Sequence, residues 1–165
     1  MIENFLARLF EHNNWANDKI IQACAALTDE QLDAPPQSAT EGSIRSTLSH
    51  LVSAQYGYLR ILTLPLEERQ DRVTMEFADL GDSLKSSGIR LLELVRDESK
   101  LPETRIQTRD GFYVEPWVIM VQIINHATEH REQIKSMFTA LGITPPSIDG
   151  WDYGESANAL VPISR

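Results

Sequence analysis

Apolar residues recur at steps of three and four over four long stretches of the chain, each bounded by residues that start or stop helices. In the first, from about Ile2 to Ala26, they are Ile2, Phe5, Leu6, Leu9, Ala16, Ile20 and Ala23, the period of a helix with one buried face. LTDEQLDAPP follows, where Thr28 and Gln31 have capping-box spacing, so one short turn is predicted before Pro35 and Pro36 stop it. The second stretch opens after Ser43, an N-cap residue type, and carries Ile44, Leu48, Leu51, Val52, Gln55, Leu59 and Leu62 until Pro65. A third runs from about Asp79 to Asp97 with Leu80, Leu84, Leu91, Leu92 and Val95 on one side. Gly88 within it costs about 1 kcal/mol relative to alanine. The fourth starts at Pro116, a residue suited to a first helical position, and runs to Leu141 before Gly142.

Between the third and fourth helices, Ile106 and Thr108, then Phe112 and Val114, alternate around Asp110-Gly111. That dipeptide favours a type I′ turn and predicts a small hairpin supported by the helices. The tail from Ile143 reads as irregular, with Trp151 and Tyr153 expected to pack back on the body. Four amphipathic helices and little strand predict an all-α, four-helix bundle. No linker or repeat divides the 165 residues, which fit a single domain, 1–165, able to bury its own core.

Composition narrows the function classes. The formal net charge of −9 repels phosphate backbones, and no cluster of Lys and Arg with interleaved aromatics overrides it, so nucleic-acid binding is not expected. No apolar run approaches the roughly 20 residues that span a bilayer, and the first residues lack a basic start and a small-residue cleavage site. The single cysteine, Cys24, lies in an apolar run and reads as a small buried hydrophobe; it agrees with a reducing compartment, and a cytoplasmic location is expected.

Chemistry concentrates in the fourth helix, in NHATEHREQI from Asn125 to Ile134. Ile119, Ile123, His126, His130, Ile134, Met137 and Leu141 follow one another at helical steps, which turns both histidines toward the bundle interior. Imidazoles one turn apart can aim a nitrogen each at a common ion, or can be ordinary core histidines held by hydrogen bonds. A third ligand would decide between these, and His12 and His50 are the candidates. On the helical wheel His50 falls roughly a third of a turn from the centre of its apolar stripe. It is a boundary residue, although Thr47, Ala54 and Gly57 are small enough to let the fourth helix approach. The H-x-x-E-H pattern also occurs in metallopeptidases. Glu129, however, points about 100° away from His130, and only Asp149, Asp152 and Glu155 follow as further ligands. A solvated glutamate, or one touching a ligand histidine, is the expected role of Glu129. His12 near Trp15 reads as partly exposed or as lining the metal pocket. Asn13, Asn14 and Asn17 read as water-facing, or as hydrogen-bonding groups in that pocket. Arg131 and Gln133 read as salt-bridge or interface residues. Tyr56, Tyr58, Trp117 and Trp151 read as packing residues, any of which could wall a substrate pocket.

Taken together, HNNWANDKII, TLSHLVSAQYGYL, NHATEHREQI and LGITPPSIDGWDY resemble, in order and over nearly the whole chain, the DinB-like family of metal-binding four-helix bundles. That family also includes the bacillithiol S-transferases. The resemblance implies one metal-ligating histidine on the second helix and a pair on the fourth, which map onto His50, His126 and His130. One departure is Glu132, where many relatives have glycine. The resemblance further implies an up-down-down-up bundle, with LPLEERQDRVTMEF as the long crossover between helices 2 and 3, and a homodimer. Three imidazoles leave a coordination position open and suit a divalent ion, zinc or nickel first, iron or copper as alternatives. An open position suits a low-molecular-weight thiol attacking a small electrophile, and equally water for hydrolysis. A thiol S-transferase is the leading expectation. A non-catalytic stress-response or interaction module is the alternative, and a metal-dependent hydrolase is third.

Overall fold

The structure is a computed structural model describing residues 4–36, 42–69 and 75–163; Ile2, at the start of the first stripe, and part of the crossover, 70–74, lie outside them. The helices are α1 (Phe5–Ala25), α2 (Asp29–Leu32), α3 (Ile44–Thr63), α4 (Leu80–Arg96), α5 (Pro116–Ala140) and α6 (Gly150–Ser156). Their ends follow the predicted signals. The Thr28 hydroxyl accepts from Gln31 N while Gln31 Oε1 accepts from Thr28 N, closing the capping box of α2. Ser43 caps α3, and Pro116 opens α5. Gly142, at φ +70°, takes the left-handed turn after α5, letting Ile143 N–H reach the Phe138 carbonyl.

Cross-helix contacts fix the directions. Asn4 Nδ2 donates to Val95 O and Asn14 Nδ2 to Gly88 O, each at 3.0 Å, so α1 and α4 run antiparallel. The start of α3 packs with the end of α5 and with the start of α4, which makes α3 antiparallel to α5 and parallel to α4. The bundle is therefore up-down-down-up, with the crossover between α3 and α4. Around the ring the order is α1, α4, α3, α5. Gly88 is explained by this packing: a Cβ there would stand 2.5 Å from Asn14 Oδ1, so the glycine lets the two helices approach.

Two apolar clusters fill the bundle, one around Ile20, Leu48, Leu84 and Ile134 and the other around Phe10, Leu59, Leu91 and Ile123. Between them lies a buried polar layer of Asn13, Asn17, Gln55, Ser87 and Arg131, one or two residues from each long helix. Arg131 Nη1 donates to Asn13 Oδ1 at 2.6 Å and Asn17 Oδ1 at 2.7 Å. Its Nη2 donates to Thr128 Oγ1 at 3.0 Å. Asn17 Nδ2 donates to Gln55 Oε1, whose amide nitrogen donates to Ser87 Oγ and Leu84 O. Burial pushes the Arg131 guanidinium down to about 10, still charged at neutral pH.

This layer corrects several expectations. Asn13 and Asn17 face the core, at 1% and 2% exposure, instead of water. Arg131 is not a surface residue: it is 3% exposed and held by neutral oxygens. The hairpin exists, pairing Ile106 with Val114 and Gln107 with Tyr113. Its tip is longer than a two-residue turn: Thr108 N–H donates to Phe112 O, leaving Arg109–Gly111 as the loop, with Gly111 alone left-handed. Part of the expected irregular tail forms α6, because Asp149 accepts from Trp151 N and Asp152 N. Tyr153 packs back against His12 and Trp15, whereas Trp151 is 76% exposed. Among the described residues no helix is long and apolar enough to cross a membrane.

Candidate metal centre

The three histidines meet at the level of the polar layer, on the outer edge of the α3–α5 contact. His50 on α3 is exposed, while His126 and His130 on α5 are half-buried. The inward line of α5 passes through Ile123, Ala127, Arg131 and Ile134. The histidine pair thus stands beside the interior line and turns toward α3, not into the core as the apolar spacing suggested. His50 takes the boundary position its wheel angle implied.

The Nε2 atom of His126 is central, 3.0 Å from His50 Nε2 and 3.1 Å from His130 Nε2. One ligand nitrogen from each of the three lies within 4.8 Å of the others. Burial, with the neighbouring His130 and His50, pushes the His126 imidazole down to about 4, so it is neutral at pH 7. On the far side of His130, Nδ1 lies 2.7 Å from Gln133 Oε1. An amide oxygen only accepts, so Nδ1 is the donor of this contact, and in the neutral ring that leaves the lone pair on Nε2.

This donor set fits a divalent ion. The central Nε2 touches two others but carries at most one proton, so hydrogen bonding satisfies the trio poorly, whereas one cation would satisfy all three lone pairs. A tetrahedral zinc ion with Zn–N near 2.0–2.1 Å holds its nitrogens about 3.3–3.4 Å apart, so the two contacts of His126 Nε2 need to open by only about a few tenths of an ångström. Among the described residues no carboxylate joins the group, which leaves one face of a four-coordinate ion to another ligand.

The other candidates separate from this centre. His12 Nε2 donates to the Ile148 carbonyl at 2.9 Å, and its ring packs edge-on to Tyr153; it anchors the tail and does not line the centre. Glu129 is exposed. Asp149 caps α6 and Asp152 accepts from Ser147, on an element packed against α1, so the peptidase arrangement is not assembled. Glu132 pairs with Lys135 on the surface at 2.8 Å. Tyr58 places its ring edge-on to His126, with centroids 5.7 Å apart, and forms a wall of the centre. Tyr56 lies beneath the Arg60 guanidinium, and Trp117 is exposed. Gln133 escaped the sequence reading as a partner of the site. The available signal was its place three residues after His130, on the same helical face.

The model of the DinB family matches residues 1–163. The chain belongs to the DinB family. Protein DinB of Bacillus subtilis (strain 168) is 24% identical over 160 residues, covering 90% of this chain and 92% of that protein. A crystal structure of a candidate DinB-family member from Exiguobacterium sibiricum 255-15 aligns with a TM-score of 0.64 at 20% identity, covering 83% of this chain and 89% of that one. At that identity the likeness concerns the fold. Within this DinB-family bundle, the antiparallel contact of α3 with α5 is what brings His50 to the pair, from 76 residues away.

Proposed function

We propose that this protein holds one divalent ion on His50, His126 and His130 and is a metal-dependent thiol S-transferase acting on small electrophiles. The observation that carries the reading is the convergence of three imidazole nitrogens on one point with no carboxylate among them. Bound there, the ion would supply a Lewis-acid position that favours a thiol in its thiolate form. The chain's own part is to keep three imidazoles aimed at that position and to wall one side with Tyr58. The thiol proton leaves to solvent, the sulfur forms a bond to the electrophilic carbon, and the leaving group departs with its electron pair. Zinc or nickel is the proposed ion, with iron or copper behind them. The reading also includes a cytoplasmic location, with its pool of reduced thiols, and a homodimer. The exposed Phe5, Leu9, Trp117 and Val121 offer that dimer an apolar face, which size-exclusion chromatography tests.

One observation favours a non-catalytic module as the second reading. The histidines lie on an open edge, while recesses of about 510 and 530 Å³ are lined by other residues, at α1–α4 and beside the start of α5. Protein purified without a histidine tag should contain near-stoichiometric metal and deplete a low-molecular-weight thiol when an electrophile is added. Bound metal with no thiol consumption across a panel of thiols would favour the module, and ester or amide turnover without thiol would favour a hydrolase.

A further inference from the structure

The two nitrogens of His130 have different neighbours. Nε2 faces His126 Nε2 at 3.1 Å, while Nδ1 faces Gln133 Oε1 at 2.7 Å, three residues along the same helix. An imidazole that carried its proton on Nε2 would point an N–H at the centre of the trio and could not ligate an ion through that atom. Which nitrogen keeps the proton is decided by the hydrogen bond at the other. Gln133 is half-buried, so its amide is a less solvated partner than bulk water. Its neighbour Glu132 is drawn away to Lys135. The choice of a neutral amide there is chemically meaningful. It fixes the proton on Nδ1 without adding the negative charge that a carboxylate would bring.

We infer that Gln133 is a positioning residue for the metal centre: it holds His130 as the Nδ1–H tautomer, so that the Nε2 lone pair is presented to the ion. This rests on the metal-binding reading above, although the tautomer itself belongs to the metal-free protein. A helix residue at this spacing also contributes to local packing, and a purely structural role would leave the tautomer unchanged.

The test uses the full chain in three forms, wild type, Gln133→Leu and Gln133→Glu. Each is made metal-free and examined at pH 8 by two-bond ¹H–¹⁵N correlations of the imidazoles, then titrated with Zn²⁺ against a competing chelator. Wild type should show His130 as Nδ1–H. Gln133→Leu should move it toward Nε2–H and weaken zinc binding by about 10–100-fold, the usual effect of losing such an outer partner. Gln133→Glu should retain Nδ1–H and bind zinc at least as tightly as wild type. An unchanged His130 tautomer, or unchanged zinc affinity, in Gln133→Leu overturns the inference. Wild-type protein that binds no zinc while the tautomer still follows residue 133 would sink the metal reading and leave the positioning role standing.

Discussion

His130 and Arg131 are neighbours in sequence, yet they serve two regions with opposite solutions to the same problem of placing polar nitrogen in a helical bundle. Arg131 turns inward, and its charge is covered by Asn13, Asn17 and Thr128. His130 turns sideways, where only one of its nitrogens is covered, by Gln133, and the other meets two more imidazoles. The inner layer is linked by hydrogen bonds across all four long helices, with Asn13 Nδ2 left without a partner. The outer cluster leaves three imidazole nitrogens facing one another, a defect in a fold and an asset in a ligand set. A polar group's function here follows from whether its neighbours finish its valence, and hardly from residue type or depth.

That contrast can be broken by exchanging one member at a time. The largest effect is expected from Arg131→Ala, which strands two buried amide oxygens and opens a cavity at the junction of the apolar clusters. It should cost about 3–5 kcal/mol, read as a lower urea midpoint; a loss under about 1 kcal/mol would show that the layer contributes little to the fold. By contrast, His126→Ala and His50→Ala should leave the metal-free protein within about 1 kcal/mol of wild type while reducing bound metal from near one equivalent to almost none by elemental analysis. Full retention of metal in both variants would sink the triad.

A smaller effect concerns pH. The folded His126 imidazole is pushed down to about 4, below the ordinary value of about 6.5. As pH falls the unfolded chain therefore takes up this proton first. The metal-free fold should have its full stability from this group above about pH 6.5 and lose it progressively toward pH 4. Relative to His126→Gln, wild type should lose about 1–2 kcal/mol across that window, solvent screening having reduced the effect at a half-exposed ring. Parallel pH profiles of the two proteins would refute the assignment. The smallest effect is at Gly88. Alanine there should fail to deliver its usual gain of about 1 kcal/mol in a helix, because Asn14 occupies the space. The gain should return in the Asn14→Ala background, which a double-mutant cycle in urea measures.

The fold was largely legible because its signals are local. Ser43, the Thr28–Gln31 box, Pro116 and Gly142 mark helix ends through hydrogen bonds made within a few residues. The seven residues of α6 were missed because two of them are glycines and only the Asp149 cap argues for a helix. The polar layer was missed for a different reason, since an asparagine on a helix ordinarily faces water. Phe10, Asn13, Asn17, Ile20 and Cys24 nevertheless form a single line at steps of three and four, and that periodicity was the readable clue. On α3 the same clue placed Gln55 among the apolar positions. At the candidate centre, spacing identified His126 and His130 as a pair, but their sideways aim depends on which helix lies next to α5. His50 came from the family resemblance, because its own wheel angle marks only a boundary position. Gln133 acts through one hydrogen bond to a ring whose orientation no sequence pattern reports.

The order of helices around the ring has a consequence for how the chain can assemble. Neighbours in sequence never form an antiparallel hairpin here: α1 and α3 lie on one diagonal, α4 and α5 on the other, and α3 with α4 runs parallel. Cutting the chain in the crossover would leave two pieces, each holding two helices that scarcely touch. Neither piece has a partner surface of its own, so each should remain largely unstructured alone and fold only on meeting the other. The histidine trio draws one member from the first piece and two from the second, which makes it a natural reporter of reunion.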